Sequence, residues 1–217
     1  MSYLTKRILT SIALVFFVYL SLINTFFLFL LLFFLNLLSL GEFNQLFKNI
    51  FRKNLFLIFI SIILSVLYLT TFSIILWIHL NPLDYAKTIT LILILSICAS
   101  SDIGGFVFGK LIGGRKLTKI SPNKTYSGMI GSFVFSLIFG CLIFYQQESF
   151  FSFNIDILIF ILVISSVSQL GDLIISFLKR KAKTKDTGTI LPGHGGILDR
   201  IDGILLALPL GILLASL

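Results

Sequence analysis

Charge is scarce in this sequence. Only 12% of its 217 residues are Asp, Glu, Lys or Arg, against roughly 25% in soluble domains. With 57% hydrophobic residues and a mean hydropathy of +1.07, too little polar surface remains to coat a water-soluble globule. The same composition excludes a disordered chain. Cysteine is nearly absent: Cys98 and Cys141 lie in apolar runs with no His or Cys beside them, so they read as packing residues rather than a disulfide or a zinc knuckle. No small-residue cleavage site follows Lys6-Arg7, and a second apolar run comes almost at once, so the N-terminal run reads as an uncleaved span. No internal repeat, low-complexity tail or soluble domain is visible. The chain is a polytopic membrane protein.

A spanning helix needs about 20 apolar residues. Seven runs qualify or come close: 8–22, 24–40, 55–80, 88–108, 129–145, 155–178 and 201–217. The first two are parted only by Ser21 to Thr25, which predicts a tight hairpin, and the third is long enough to tilt or to bend near Thr70-Thr71. The predicted fold is therefore all-α, a transmembrane bundle of about seven spans. It divides into N-terminal helices over 1–80 and a C-terminal region over 81–217.

The basic residues test this parse. With seven spans, sixteen of the seventeen Lys and Arg fall in segments on one side, and only Lys87 falls on the other. In a soluble protein such an excess would suggest nucleic acid; here the positive-inside rule accounts for it, and no nucleic-acid partner is expected. That side is cytoplasmic, with the N-terminus inside, the C-terminus outside and the chain in the cytoplasmic membrane. Glu42 sits at the cytoplasmic end of the second span. Asp102, Asp172, Asp186, Asp199 and Asp202 fall in or beside the cytoplasmic halves of the last four spans. Any chemistry is expected at that face.

Asp102 ends an apolar run in Ser100-Ser101-Asp102-Ile103-Gly104-Gly105. A carboxylate at membrane depth costs at least about 2.5 kcal/mol on insertion scales, so it normally faces a partner or a polar cavity. Pairing with Lys110 is the structural alternative to a functional role. Gly104, Gly105, Gly109, Gly113 and Gly114 permit close helix contact or backbone approach to a ligand. In the loop Lys119-Ile120-Ser121-Pro122-Asn123-Lys124-Thr125-Tyr126-Ser127-Gly128, Thr125 or Ser127 could cap the following helix. Alternatively Lys119 and Lys124 reach a phosphate, with Ser121 and its neighbours donating to it.

The densest signal runs from Gly171 to Gly203. Asp172, Ser176 and the Lys179-Arg180 pair lie near one helix face. Lys185-Asp186 follows, then Leu191-Pro192-Gly193-His194-Gly195-Gly196, then Leu198-Asp199-Arg200-Ile201-Asp202-Gly203. Asp199 and Asp202, three apart, share a helix face. Carboxylates beside many cations suit a metal–polyphosphate reaction, since magnesium takes carboxylate, water and phosphate oxygens and cations offset charge developing on the phosphates. Zinc is not expected, because His194 has no companion ligand. A basic loop binding anionic lipid heads, with ordinary N-terminal helix acids, is the plainer alternative.

This segment resembles the signature of the phosphatidate cytidylyltransferases, or CDP-diacylglycerol synthases: a Ser, a Lys-Arg pair, Lys-Asp, a Pro-Gly-His-Gly-Gly loop and Asp-Arg-x-Asp. Here these are Ser176, Lys179-Arg180, Lys185-Asp186, Pro192 to Gly196 and Asp199-Arg200-Ile201-Asp202. Upstream, the Asp102 patch, the Ser121 to Thr125 loop and Gly171-Asp172-Leu173 are also similar, in the same order; Lys6-Arg7-Ile8 is so more loosely. Ile103 and Tyr126-Ser127 depart from the family pattern, and the N-terminal half is shorter than is common.

The resemblance implies a magnesium-dependent conversion of CTP and phosphatidate to CDP-diacylglycerol and pyrophosphate. Asp172, Asp199 and Asp202 are the implied metal ligands, with Lys179 and Arg180 completing the catalytic set. Asp102, Ser121, Lys124, Ser176, Lys185, Asp186, His194 and Arg200 are the implied substrate contacts. A potassium ion near the magnesium is also suggested by the family. A cytidylyltransferase for another lipid phosphate is the nearest alternative. A small transporter is a more distant one, since it would distribute acids through the membrane depth. Small residues on the spans permit a homodimer without indicating one.

Overall fold

In the computed structural model the described residues are 3–81, 84–118, 121, 124–146, 156–191 and 195–216, with residues 3, 4 and 6–8 described by backbone alone. Among them are seven helices: α1 Tyr3–Ile23, α2 Thr25–Phe51, α3 Leu55–Leu80, α4 Tyr85–Leu111, α5 Tyr126–Gln146, α6 Ile157–Lys181 and α7 Leu198–Ala215. Outside them the described residues form only isolated bridges, Lys116 to Thr125 and Leu191 to Gly195. Helices α2 to α6 are long and apolar enough to cross a membrane. The apolar part of α1 is shorter, Leu9–Ile23, and α7 carries Asp199, Arg200 and Asp202 in its first five residues. The fold is that of a polytopic helical membrane protein.

Several boundaries follow from local chemistry. Asn24 alone parts α1 from α2, its Oδ1 accepting the Phe26 amide at 2.8 Å, so the predicted tight connection is present. Asn54 Oδ1 likewise accepts the Leu57 amide at the start of α3. Helix α3 is continuous over 55–80, and the Thr70 and Thr71 hydroxyls bond back to carbonyls of their own helix. Helix α2 runs on past the apolar stretch ending at residue 40. From Gly41 to Phe51 its sequence is amphipathic, and Glu42, Phe43 and Leu46 are buried.

The chain forms two compact units. The first comprises 1–84 with 178–201, and the second 85–177 with 202–217. In the first unit α1 packs on α2 and α2 on α3. Leu28, Leu32, Phe43 and Leu46 of α2 and Ile58, Leu69, Phe72, Leu76 and Leu80 of α3 are buried. Asn36 Nδ2 donates to Ser73 Oγ at 2.6 Å, a polar tie between two otherwise apolar helices. Phe26, Phe29, Phe33, Phe56 and Phe59 remain exposed, as faces turned to lipid would be.

In the second unit α4 and α5 come into close contact, because glycines meet. A Cβ on Gly104 would lie 2.7 Å from the Phe135 Cβ and closer still to the Gly131 carbonyl oxygen. Such small-residue packing is the usual way helices approach in lipid, where hydrophobic burial gives no driving force. A buried serine cluster adds to it: Ser132 donates to the Ser101 carbonyl at 2.7 Å, and Ser165 meets Ser101 at 3.1 Å and Ser136 at 2.9 Å. These bonds tie α4, α5 and α6. Gly171 of α6 lies against the Asp202 backbone, with the Gly203 Cα 3.1 Å from where its Cβ would be. Any larger residue at 171 would push α7, and Asp202 with it, away.

Candidate active site

The signature residues fall into two groups, one in each unit. In the second unit, Asp172 of α6 is ion-paired with Lys124, from the loop before α5. Ser176, one turn on, donates to the other Asp172 oxygen at 3.3 Å. Asp202, at the start of the α7 apolar run, is within hydrogen-bonding reach of Asp172 and feels the charges of Asp172 and Asp102. Asp102 of α4 in turn feels Asp172 and Lys124. Among the described residues Asp172 and Asp102 thus share the Lys124 ammonium while Asp202 adjoins Asp172, a local excess of negative charge that an additional cation would relieve. Lys110, weighed as a partner for Asp102, has its Nζ 5.7 Å from the Phe106 ring centre.

In the first unit, Lys179 Nζ donates to Asp199 Oδ1 at 2.6 Å. The other oxygen, Oδ2, accepts the Thr187 amide at 2.8 Å and the Gly196 amide at 3.0 Å, and lies 3.1 Å from the Thr187 hydroxyl. Asp199 lies ahead of the apolar run of α7. Burial alone would raise its pKa, but the Lys179 bond and the two amides outweigh this and hold it below the ordinary carboxylate value. Gly195 adopts φ +84, and a Cβ there would fall 2.9 Å from Asp199 Oδ2. Glycine is therefore required by both conformation and space. Arg180, Lys185, Asp186 and Arg200 are exposed around this group.

Among the described residues no three Asp, Glu, His or Cys side chains converge as a closed metal cage. The Asp172–Asp202 pair still fits magnesium, which is usually held by one or two carboxylates, with water and substrate phosphates supplying the rest. Asp199 was expected in the same ligand set. Its Oδ2 already accepts the Thr187 and Gly196 amides, whereas Oδ1 accepts only Lys179 among the described residues and keeps a lone pair with which to ligate.

The cytidylyltransferase family pattern matches residues 3–217. The chain belongs to that family. It is similar to the phosphatidate cytidylyltransferase of Staphylococcus haemolyticus (strain JCSC1435), with 46% identity over 112 residues, 51% of this chain and 42% of that protein. The Rickettsia bellii (strain RML369-C) enzyme of the same name is 39% identical over 144 residues, 64% of this chain and 61% of its own length. That of Staphylococcus aureus (strain COL) is 47% identical over 112 residues, covering 51% and 42%. The chain thus spans about half the length of the curated relatives it matches.

For this cytidylyltransferase-family chain the loop before α5 has the cap expected of it, Thr125 Oγ1 accepting the Gly128 amide at 3.1 Å. Ser127 donates instead to the Gly113 carbonyl. Gly104 and Gly105 serve helix contact. Ser121 is described, its amide bonded to Thr118 Oγ1 at 3.2 Å. His194 and Lys119 lie outside the described residues. Sequence reasoning noted Glu42 only by position. It is 2% exposed, and accepts the Thr187 hydroxyl at 2.6 Å and the Ile197 and Leu198 amides at 2.8 and 2.9 Å. The signal was present: an acid in the amphipathic extension of α2, flanked by residues that must bury.

Proposed function

We propose that the chain transfers a cytidylyl group from CTP to phosphatidate, giving CDP-diacylglycerol and pyrophosphate, at the cytoplasmic face of the membrane. Similarity to proteins named phosphatidate cytidylyltransferase supports the substrates. The observation that carries the chemistry is that Lys124 pairs with Asp172, which has Asp102 and Asp202 as acidic neighbours. Such a group needs a further cation, which a metal-bound triphosphate would bring. The distribution of Lys and Arg supports a cytoplasmic N-terminus and a C-terminus outside.

In this reading a phosphatidate phosphate oxygen attacks the α-phosphorus of CTP. The bond to the bridging oxygen breaks, and pyrophosphate leaves with its electron pair. The nucleophile is already anionic, so no strong general base is required. Asp172 and Asp202 would hold magnesium, which when bound offsets charge on the triphosphate. Ser176 fixes the Asp172 rotamer, and Lys124 is placed to exchange its carboxylate partner for a phosphate oxygen. Arg180 and Lys185, both exposed, suit the phosphates of CTP or lipid.

The test is transfer of label from CTP into organic-soluble lipid by purified protein in detergent with phosphatidate and magnesium. Product that requires magnesium and is lost in Asp172→Asn and Asp202→Asn supports the reading. Label passing only to a different lipid phosphate would replace the substrate. No transfer to any lipid phosphate by folded protein would reject the reaction.

A further inference from the structure

Three observations in the first unit converge on Glu42. Its carboxylate is buried, yet among the described residues its hydrogen-bond donors are neutral: it accepts the Thr187 hydroxyl and the Ile197 and Leu198 amides. Those amides begin α7, where backbone N–H groups have no intrahelical acceptor and the helix dipole favours an anion. The neighbouring backbone leaves room only for this carboxylate. A Cβ on Gly188 would lie 2.9 Å from Glu42 Oε1, and one on Gly196 2.6 Å from the same atom. Finally, Thr187 joins Glu42 to Asp199, since its hydroxyl lies 2.6 Å from the one and 3.1 Å from the other.

A glycine-rich loop leading into a helix would ordinarily be read as a phosphate cradle. Here the protein's own carboxylates take the amides: Glu42 those of Ile197 and Leu198, Asp199 that of Gly196. We propose that Glu42 is a positioning residue that seats Thr187 and the start of α7, and through them sets the Asp199 carboxylate and its Lys179 partner. For its catalytic consequence the proposal rests on the cytidylyltransferase reading, with Asp199 and Lys179 in the catalytic set that the family resemblance implies, though the contact itself does not. It also assigns phosphate recognition to side-chain cations rather than to the α7 N-terminus.

The geometry distinguishes substitutions. Asp at 42 is one methylene too short to reach both amides. Gln keeps one acceptor but turns an NH2 toward a donor. Ser at 187 retains the hydroxyl, whereas Val does not.

Wild type, E42Q, E42A, T187V and T187S in detergent would be compared for turnover with CTP, phosphatidate and magnesium. Amide hydrogen exchange over 184–201 would be read on the same samples. E42Q and E42A should lower kcat roughly 10- to 100-fold, as a misplaced catalytic group does, with the KM for phosphatidate little changed. The Ile197 and Leu198 amides should exchange faster in both. T187V should lose turnover and T187S keep it. Wild-type kcat in folded E42Q, or a lowered Tm with kcat of the folded fraction intact, would overturn the positioning role. If neither Glu42 variant folds, equal kcat in T187V and T187S overturns it. If wild type itself makes no product, the reaction fails, and unchanged exchange in E42Q would overturn the seating of α7 separately.

Discussion

Lys179 Nζ donates to Asp199 Oδ1 at 2.6 Å, joining the last turn of α6 to the first turn of α7. The two side chains are 14% and 7% exposed, so the pair is shielded from solvent and its loss should be felt. Lys179→Met leaves Asp199 with only neutral donors among the described residues. We expect a destabilisation of roughly 2 kcal/mol, below the usual cost of breaking a buried pair because Thr187 and Gly196 remain, together with loss of turnover. Thermal unfolding in detergent and the lipid-label assay measure the two effects. A Tm equal to wild type would mean the pair contributes nothing.

Lys124 and Asp172 share an ion pair in the other unit. Asp172→Asn and Lys124→Met should each reduce turnover by at least about tenfold, and the double variant should cost less than the sum of the two, because the partners act on one interaction. Kinetics of the three variants close the cycle. Strict additivity would show that the two residues act independently.

Gly104 and Gly131 allow α4 and α5 to touch. Gly104→Leu should destabilise by about 1–3 kcal/mol or prevent folding, as overpacking does. Gly41→Ala is the control. Nothing lies within 4 Å of its added Cβ, and removing a helical glycine should stabilise by about 0.5–1 kcal/mol. Unfolding midpoints compare the two directly, and equal shifts would deny that contact is the reason for glycine at 104.

Lys87 is the one basic residue assigned outside the cytoplasm. In a cysteine-free background, Lys87→Cys should react with a membrane-impermeant maleimide on intact cells, and Lys183→Cys only after permeabilisation. The reverse pattern would invert the proposed orientation.

Much of the fold is legible along the chain because the bilayer imposes it. A helix must satisfy its own backbone in lipid, and bilayer thickness sets its length, so apolar runs located all seven helices, with α3 beginning and ending where its run does. The cap at Thr125 was likewise readable. Pairings across the chain were not. That Asp199 accepts from Lys179, Thr187 and Gly196 depends on which donors the folded chain brings to it. That Asp172 meets Lys124, and that Glu42 accepts from Thr187 across 145 residues, depends on how loops and helices distant in sequence pack. Local periodicity carries no information about such distant partners, so only the tertiary structure decided them.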